Sequence, residues 1–172
     1  KKIFFVGNTM IDTLLKYRKS FKKPKIWDKI GLEEKKYIIM TLHRPKNVDK
    51  GNILKSYINQ IVKNSCGLPI IFPAHPRTTK KLKEISISSP NLFIVDPLGY
   101  LEFNFLVEKS KVVITDSGGI SEETTVLKVP CITLRENTER PETVNLGTNE
   151  LIGINPENIA GAMQKIFSGN WK

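Results

Sequence analysis

Five short runs in this chain are apolar almost throughout and rich in β-branched residues, and each is separated from the next by a longer stretch of helical period. They are Tyr37–Leu42, Leu68–Phe72 (closed by Pro73), Leu92–Val95, Val112–Thr115 and Cys131–Leu134. A strand that alternates apolar and polar residues has one wet face. A strand apolar throughout has to be covered on both, which is the situation of a parallel sheet with helices on each side. The intervening segments supply those helices: Met10–Arg18, Ile53–Val62, Thr79–Ile85, Tyr100–Val107, Gly119–Leu127 and Ile159–Phe167. In the first of them Met10, Ile11, Leu14, Leu15 and Tyr17 recur at the spacing of one buried face, with Asn8 and Thr9 as cap candidates. A further strand is expected at Ile3–Val6, and a short apolar run stands at Leu151-Ile152. The pattern predicts an α/β fold, a doubly wound parallel sheet.

That fold says where to look for a ligand, because such sheets bind beyond the carboxyl ends of their strands. The loops there are His43-Arg44, Ala74-His75-Pro76-Arg77, Pro97-Leu98-Gly99-Tyr100, Asp116–Gly119 and Arg135–Glu142, all polar, basic or glycine-containing. Arginine is scarce in the chain, five of 27 basic residues, and four of the five (Arg44, Arg77, Arg135, Arg140) fall in these loops. A planar guanidinium suits multidentate binding of phosphate or carboxylate, so the distribution points to an anionic ligand. Asp116-Ser117-Gly118-Gly119 runs from a strand into a helix, where bare backbone N–H groups and the helix dipole favour an anion. The competing reading is a tight turn needing glycine for geometry alone. The loop is neither a Walker A motif nor GxGxxG. Glu122 and Glu123 stand one turn further on. Either complements the dipole or accepts ribose hydroxyls, and at about 100° apart only one of them can reach a ribose. His43 and His75 are the only histidines, each directly after a strand. Phe103 either stacks on a base or belongs to the core of its helix.

Composition narrows the partners. At 172 residues with 40% hydrophobic and 26% charged residues the chain has the size and make-up of one soluble globular domain. No apolar run approaches the roughly 20 residues of a membrane-spanning helix. Cys66 and Cys131 have no CxxC or His-rich companion, which argues against a zinc site or a disulfide framework and for a reducing, cytoplasmic setting. The net charge of +10 is concentrated before residue 50, mainly between Lys16 and Lys36, in a stretch with Pro24 and a small Ile26-Trp27-Ile30 cluster. That run is almost all lysine, without the interleaved aromatics of a base-stacking platform. It reads as a solvated face or linker rather than a nucleic-acid surface.

Gly7-Asn8-Thr9-Met10-Ile11-Asp12, Thr41–Asp49 (TLHRPKNVD), Pro73-Ala74-His75-Pro76, Thr115–Glu123 (TDSGGISEE) and Arg135–Glu142 (RENTERPE) occur in this order along the chain. Together they resemble the non-hydrolysing UDP-N-acetylglucosamine 2-epimerases. The resemblance covers nearly the whole chain and implies a Rossmann-like C-terminal half of a glycosyltransferase-B type, two-domain enzyme. It implies that Ser117, Gly118 and Gly119 hold the diphosphate, that Glu123 binds the ribose, and that Leu98 (through its backbone) and Phe103 hold the uracil. His43 and Arg140 would contact the phosphate or sugar region, with His43 as the one catalytic candidate here. Arg44 and His75 look like positions of a second, regulatory UDP-GlcNAc site. Residues 1–36 would form the interdomain crossing and a basic linker, and residues 37–172 the nucleotide-binding domain. The N-terminal domain is expected to be absent.

The reaction so implied interconverts UDP-GlcNAc and UDP-ManNAc with no metal and no redox cofactor. UDP is eliminated to leave a 2-acetamidoglucal and is added back after reprotonation on the other face. That needs a base at C2 and an acid opposite. The carboxylates with those roles would lie in the N-terminal domain, so this half is expected to be inactive alone. Full-length relatives would be homodimers serving polysaccharide biosynthesis. Two departures stand out: Lys46 where the family usually has Glu after HRP, and Ser121 where it usually has Gln. The alternatives are a hydrolysing 2-epimerase releasing UDP and ManNAc, a glycosyltransferase-B donor domain, and a stand-alone UDP-sugar-binding module.

Overall fold

The computed structural model describes residues 2–4, 6–74 and 76–172, without the side chains of Pro76 and Arg77. Six parallel strands form one sheet: β1 Ile38–Thr41, β2 Ile70–Pro73, β3 Leu92–Val95, β4 Val112–Thr115, β5 Cys131–Thr133 and β6 Asn149–Leu151. Their order across the sheet is β3-β2-β1-β4-β5-β6, every neighbouring pair parallel. The chain thus winds outward one way from β1 and the other way from β4, and the switch lies between those two strands.

Strand periodicity deals the apolar residues to opposite faces. Ile38, Met40, Ile70, Phe72, Val112 and Ile114 join one core cluster, while Tyr37, Ile39, Ile71 and Val113 join the other. The first is closed by α4 (Gly51–Lys63), through Leu54, Tyr57, Ile58 and Ile61, and by α9 (Asn158–Phe167), through Ile159, Met163 and Ile166. The second is closed by α1 (Thr9–Tyr17), α6 (Tyr100–Lys109) and α7 (Gly118–Leu127), with Leu14, Leu106, Val107 and Leu127 buried there. Both faces of β1, β2 and β4 are covered, as the apolar runs require, while Ile94 of the edge strand β3 stays exposed. Helix α5, Pro76–Glu84, follows β2.

The segment before residue 37 departs most from expectation. No strand forms at residues 2–4 and 6–8, which pair with neither edge strand of the described sheet, β3 or β6, and Ile3, Phe4 and Val6 are exposed. The Ile26-Trp27-Ile30 cluster is a helix, α2 (Lys25–Ile30), ended by Gly31 at φ 72°. It packs beyond its own neighbours: Trp27 stands edge-on to Tyr37 (ring centroids 5.6 Å apart) and to Phe105 (5.4 Å). The buried Tyr37 hydroxyl donates to the Leu106 carbonyl, so β1, α2 and α6 are joined at one place. The lysines around α2 face solvent, several in exposed pairs such as Lys23–Asp28 and Lys36–Glu33. Such pairs contribute little to stability.

Two short helices and a strand also went unread. α3 (Pro45–Val48) and α8 (Pro141–Asn145) are only four and five residues long and begin with proline at N1, which fits a first helical turn. β6 falls at Asn149–Leu151 and shares only Leu151 with the apolar Leu151-Ile152 run. Its buried residue is Asn149, which accepts from Thr133 Oγ1 (2.6 Å) and donates to Thr143 Oγ1 (3.1 Å). A polar pair buried inside a sheet does not read as a strand.

Candidate functional site

The loops after β1 and β4 meet at the switch of strand order, and Asp116 ties them together. This carboxylate is completely buried. It accepts the backbone N–H groups of His43 (3.2 Å to either oxygen) and Arg44 (3.0 Å), and Asn47 Nδ2 (2.9 Å). His43 Nδ1 stands 2.8 Å from Oδ1, and Arg44 Nε donates to the Asp116 carbonyl (2.9 Å). Burial opposes the Asp116 charge, but the hydrogen bonds from His43, Asn47 and Arg44 outweigh it and hold the carboxyl below the usual aspartate range. His43 moves the other way: its bond to Asp116 raises the imidazole, against partial burial and the neighbouring Arg44. With Nδ1 turned to Asp116, Nε2 is the nitrogen left for a ligand, and the raised value favours the doubly protonated, cationic ring. The imidazole Hε1 resonance of His43 should therefore titrate above 6.5, and the midpoint should fall back to that value or lower in Asp116→Asn. An unchanged midpoint would remove Asp116 as the cause.

Next to this pair is the start of α7. Ser117 occupies the N-cap position, yet its side chain makes no capping bond, and no acidic residue stands in the first turn. Its backbone N–H goes to Thr115 Oγ1 (3.0 Å). Serine at an N-cap ordinarily satisfies its own helix, so here both its hydroxyl and the helix N–H groups stay available. Neither Gly118 nor Gly119 has a positive φ, so the turn does not demand glycine for its geometry. A Cβ at Gly118 would stand 3.5 Å from Arg135 Nη1, and one at Gly119 3.4 Å from Met10 Sδ, so side chains there would fill the approach rather than strain the backbone. Across the recess the N-terminus of α1 comes close. Asn8 caps it, its Oδ1 accepting from Met10 N (3.1 Å) and Ile11 N (3.3 Å). Asn8, Thr9, Met10, Gly118, Gly119 and Arg140, together with the carboxylates of Glu122 and Glu139, line an open recess of about 440 Å3.

Glu122 and Glu123 diverge. Glu122 Oε1 accepts from Asn8 Nδ2 (2.6 Å) and pairs with Arg140 Nε (2.9 Å), which places it on the α1 and α8 side. Glu123 turns to α6, where the Tyr100 hydroxyl donates to it (3.2 Å). Burial and the Glu122 charge raise the Glu123 carboxyl, and bonds from Tyr100 and Asn104 oppose the rise. Burial and the Glu123 charge push the Tyr100 phenol up to about 12, so it remains a neutral donor. Leu98 lies just before α6 and Phe103 in its first turn, both half-buried against the second core cluster, so part of each remains open. Arg140 is half exposed at the start of α8. Arg135 is buried and forked onto Glu139 (2.8 and 2.7 Å), which lowers that carboxyl to about 2. His75 lies outside the described residues, as does the side chain of Arg77.

The structure thus brings Gly118, Gly119 and Arg140 to one recess, with His43 joined to the adjoining loop through Asp116, Ser117 at the N-cap, Glu123 and Phe103 on α7 and α6, and Leu98 just before α6. Sequence reading missed Asp116 as the hub, Asn47 as its donor, Asn8 as the link to Glu122, and Tyr100 and Asn104 on Glu123. Asp116 was visible only as the first letter of a glycine motif. The others needed contacts between distant segments that no local pattern carries.

Sheets of this order hold their ligands at the reversal, outside the carboxyl ends of the strands. The chain falls in that class: a Rossmann-like α/β domain with its polar loops gathered at that point. Within it, the chain belongs to the UDP-N-acetylglucosamine 2-epimerase family, whose model matches residues 1–171. The UDP-N-acetylglucosamine 2-epimerase of Methanocaldococcus jannaschii is 41% identical over 99% of this chain and 50% of its own length. That of Methanococcus maripaludis is 42% identical over 99% of this chain and 49% of its own. The crystal structure of the M. jannaschii enzyme in complex with UDP-GlcNAc and UDP superposes with a TM-score of 0.84 at 42% identity, over 99% of this chain and 50% of that one. The chain spans about half the length of the curated relatives it matches. Among the described residues no helix is long and apolar enough to cross a membrane.

Proposed function

We propose that these residues are the nucleotide-holding half of an enzyme that interconverts UDP-GlcNAc and UDP-ManNAc, binding the UDP moiety at the β1/β4 switch. The observation that carries the reading is the start of α7. Its serine leaves the helix uncapped, and its two glycines keep the N–H groups bare where no backbone strain calls for glycine. That is a site for a diphosphate. Ser117, Gly118 and Gly119 hold it, with His43 and Arg140 adding positive charge from either side. Glu123, one turn further along α7, accepts the ribose hydroxyls. Leu98 and Phe103 flank the uracil.

Epimerisation at C2 breaks the bond from C1 to the diphosphate oxygen, and negative charge grows on the leaving UDP. Fixed N–H groups, the His43 ring and the Arg140 guanidinium are placed to stabilise that charge as it forms. The proton taken from C2 and the proton returned on the other face need two further groups. The carboxylates around the α7 terminus are engaged: Asp116 with the β1 loop, Glu122 with Asn8 and Arg140, Glu123 with Tyr100, Glu139 with Arg135. The acid and base are accordingly assigned outside these residues, and the half by itself is expected to bind without turnover. Saturation-transfer NMR on the chain with UDP-GlcNAc tests the division of labour. The uracil and ribose protons should carry the strong transfer and the N-acetyl methyl a weak one. Transfer strongest on the acetamido sugar would overturn it.

A further inference from the structure

The positive charge of the chain gathers on one side of the molecule. Residues 16–36 hold nine Lys and Arg against three acidic residues, +6 of the total +10. Structure makes this stretch a fixed face rather than a loose linker, because it is fastened along α6. Arg18 pairs with Glu108 near the end of that helix (2.6 Å), Lys22 N donates to the Leu101 carbonyl at its start (3.3 Å), and Lys35 N to the Lys109 carbonyl at its end (2.8 Å). Between these points Trp27 of α2 packs on Phe105. The acidic residues of the face are already matched: Asp28 by Lys23, Glu33 by Lys36, Glu34 by Lys109 and Glu108 by Arg18. Of the carboxylates on these elements only Glu102 of α6 is left over.

Lys19, Lys22, Lys25 and Lys29 remain, all exposed and none with a side-chain partner among the described residues. Ile26, Trp27 and Ile30 turn α2 toward the second core cluster, so Lys25 and Lys29, four residues apart, share its outer side. Like charges so gathered repel one another, and a negative partner relieves the repulsion. The residue type decides which partner. An ammonium on a flexible stem is a point charge that follows anions without fixed positions, whereas readers of nucleic acid fork with arginine and stack with open aromatics. Here the one arginine is taken by Glu108, and Trp27 stands edge-on to Tyr37 and Phe105. The headgroups of an anionic bilayer are a partner of the first kind, and clusters of about four to eight basic residues bind them. Leu15 and Tyr17, 51% and 42% exposed, flank Lys16 at the end of α1 and add apolar surface for the interfacial layer.

We propose that the face formed by Lys16–Lys36 along α6 is a docking surface for an anionic lipid bilayer, on which the domain rests peripherally. The test is co-sedimentation of the 172-residue chain with vesicles of about 40 mol% phosphatidylglycerol in phosphatidylcholine, beside vesicles of phosphatidylcholine alone. Binding is expected to the first and not to the second, and it should be lost at about 0.5 M salt, where screening shortens to a few ångströms. The triple variant Lys19→Gln, Lys25→Gln, Lys29→Gln should bind the anionic vesicles about 100-fold more weakly, at the contribution expected of each lysine near such a surface. A second triple variant, Lys50→Gln, Lys55→Gln, Lys63→Gln, removes the same charge from exposed positions at α4, which covers the other side of the sheet. It should stay within about threefold of the starting affinity, since its lysines lie beyond the reach of the bilayer's field. Neither variant touches a buried group, so both should fold. Equal binding to neutral vesicles, or equal losses in the two variants, would overturn the proposal. So would tighter binding, phosphate for phosphate, to poly-adenylate than to the anionic vesicles, because the face would then belong to nucleic acid.

Discussion

Asp116→Ala should lower the melting temperature by about 6–12 °C at pH 6. The carboxylate is wholly buried and takes two backbone N–H groups, the Asn47 amide and the His43 ring. Removing it leaves buried donors unsatisfied and a cation without its counterpart, a loss of about 3 kcal/mol. For a chain of this size each kcal/mol shifts the midpoint by about 2–4 °C. The pH dependence follows from the two shifts. Asp116 is depressed in the folded state, so its contribution is complete above the ordinary aspartate range and fades only as pH falls through the lower folded value. His43 is raised, so its contribution is complete below 6.5 and fades as pH rises through the higher folded value. The gap between the two proteins should be widest between those limits and narrow on both sides. Differential scanning fluorimetry from pH 3 to 9 measures it. A drop under about 2 °C at pH 6 would mean that the β1 and β4 loops are held by something other than this carboxylate.

Glu123→Ala should weaken UDP binding about 10- to 100-fold, the range for losing hydrogen bonds to a charged acceptor at a site built around them. Tyr100 and Asn104 hold this carboxylate from α6, and they rather than any ligand satisfy it in the free protein. The variant also leaves the Tyr100 hydroxyl without its acceptor, so its melting temperature needs to be recorded beside its affinity. A folded Glu123→Ala chain that binds UDP as the parent does would remove Glu123 from the ribose. Glu122 supplies the contrast. It is bound to Asn8 and Arg140, and its loss would loosen α1 and α8 rather than the nucleoside end.

The fold was legible because its physics is local. Runs such as Val112–Thr115 and Leu92–Val95 are apolar on all sides, and the strands occupy those same residues. The switch point followed from topology, and the loops singled out on that ground do converge between β1 and β4. What stayed hidden depends on partners far away in the chain. Ile3–Val6 has the composition of a strand, but a strand exists only where it pairs, and the described residues there pair with neither β3 nor β6. Asn149 sits in β6 because Thr133 and Thr143 satisfy its amide, and no property of residue 149 alone announces that. Lys46, which stands where the family usually has Glu, lines a cavity beside Arg44, while Asp116 holds the His43 imidazole.

The central claim is that these residues recognise uridine diphosphate on their own. Calorimetric titration of the 172-residue chain with UDP and, separately, with ADP at moderate salt tests it most directly. The expected result is weak, saturable UDP binding, clearly tighter than that of ADP and reduced in Glu123→Ala. Equal binding of the two nucleotides, undiminished in that variant, would contradict it by reducing the α7 terminus to a general phosphate site.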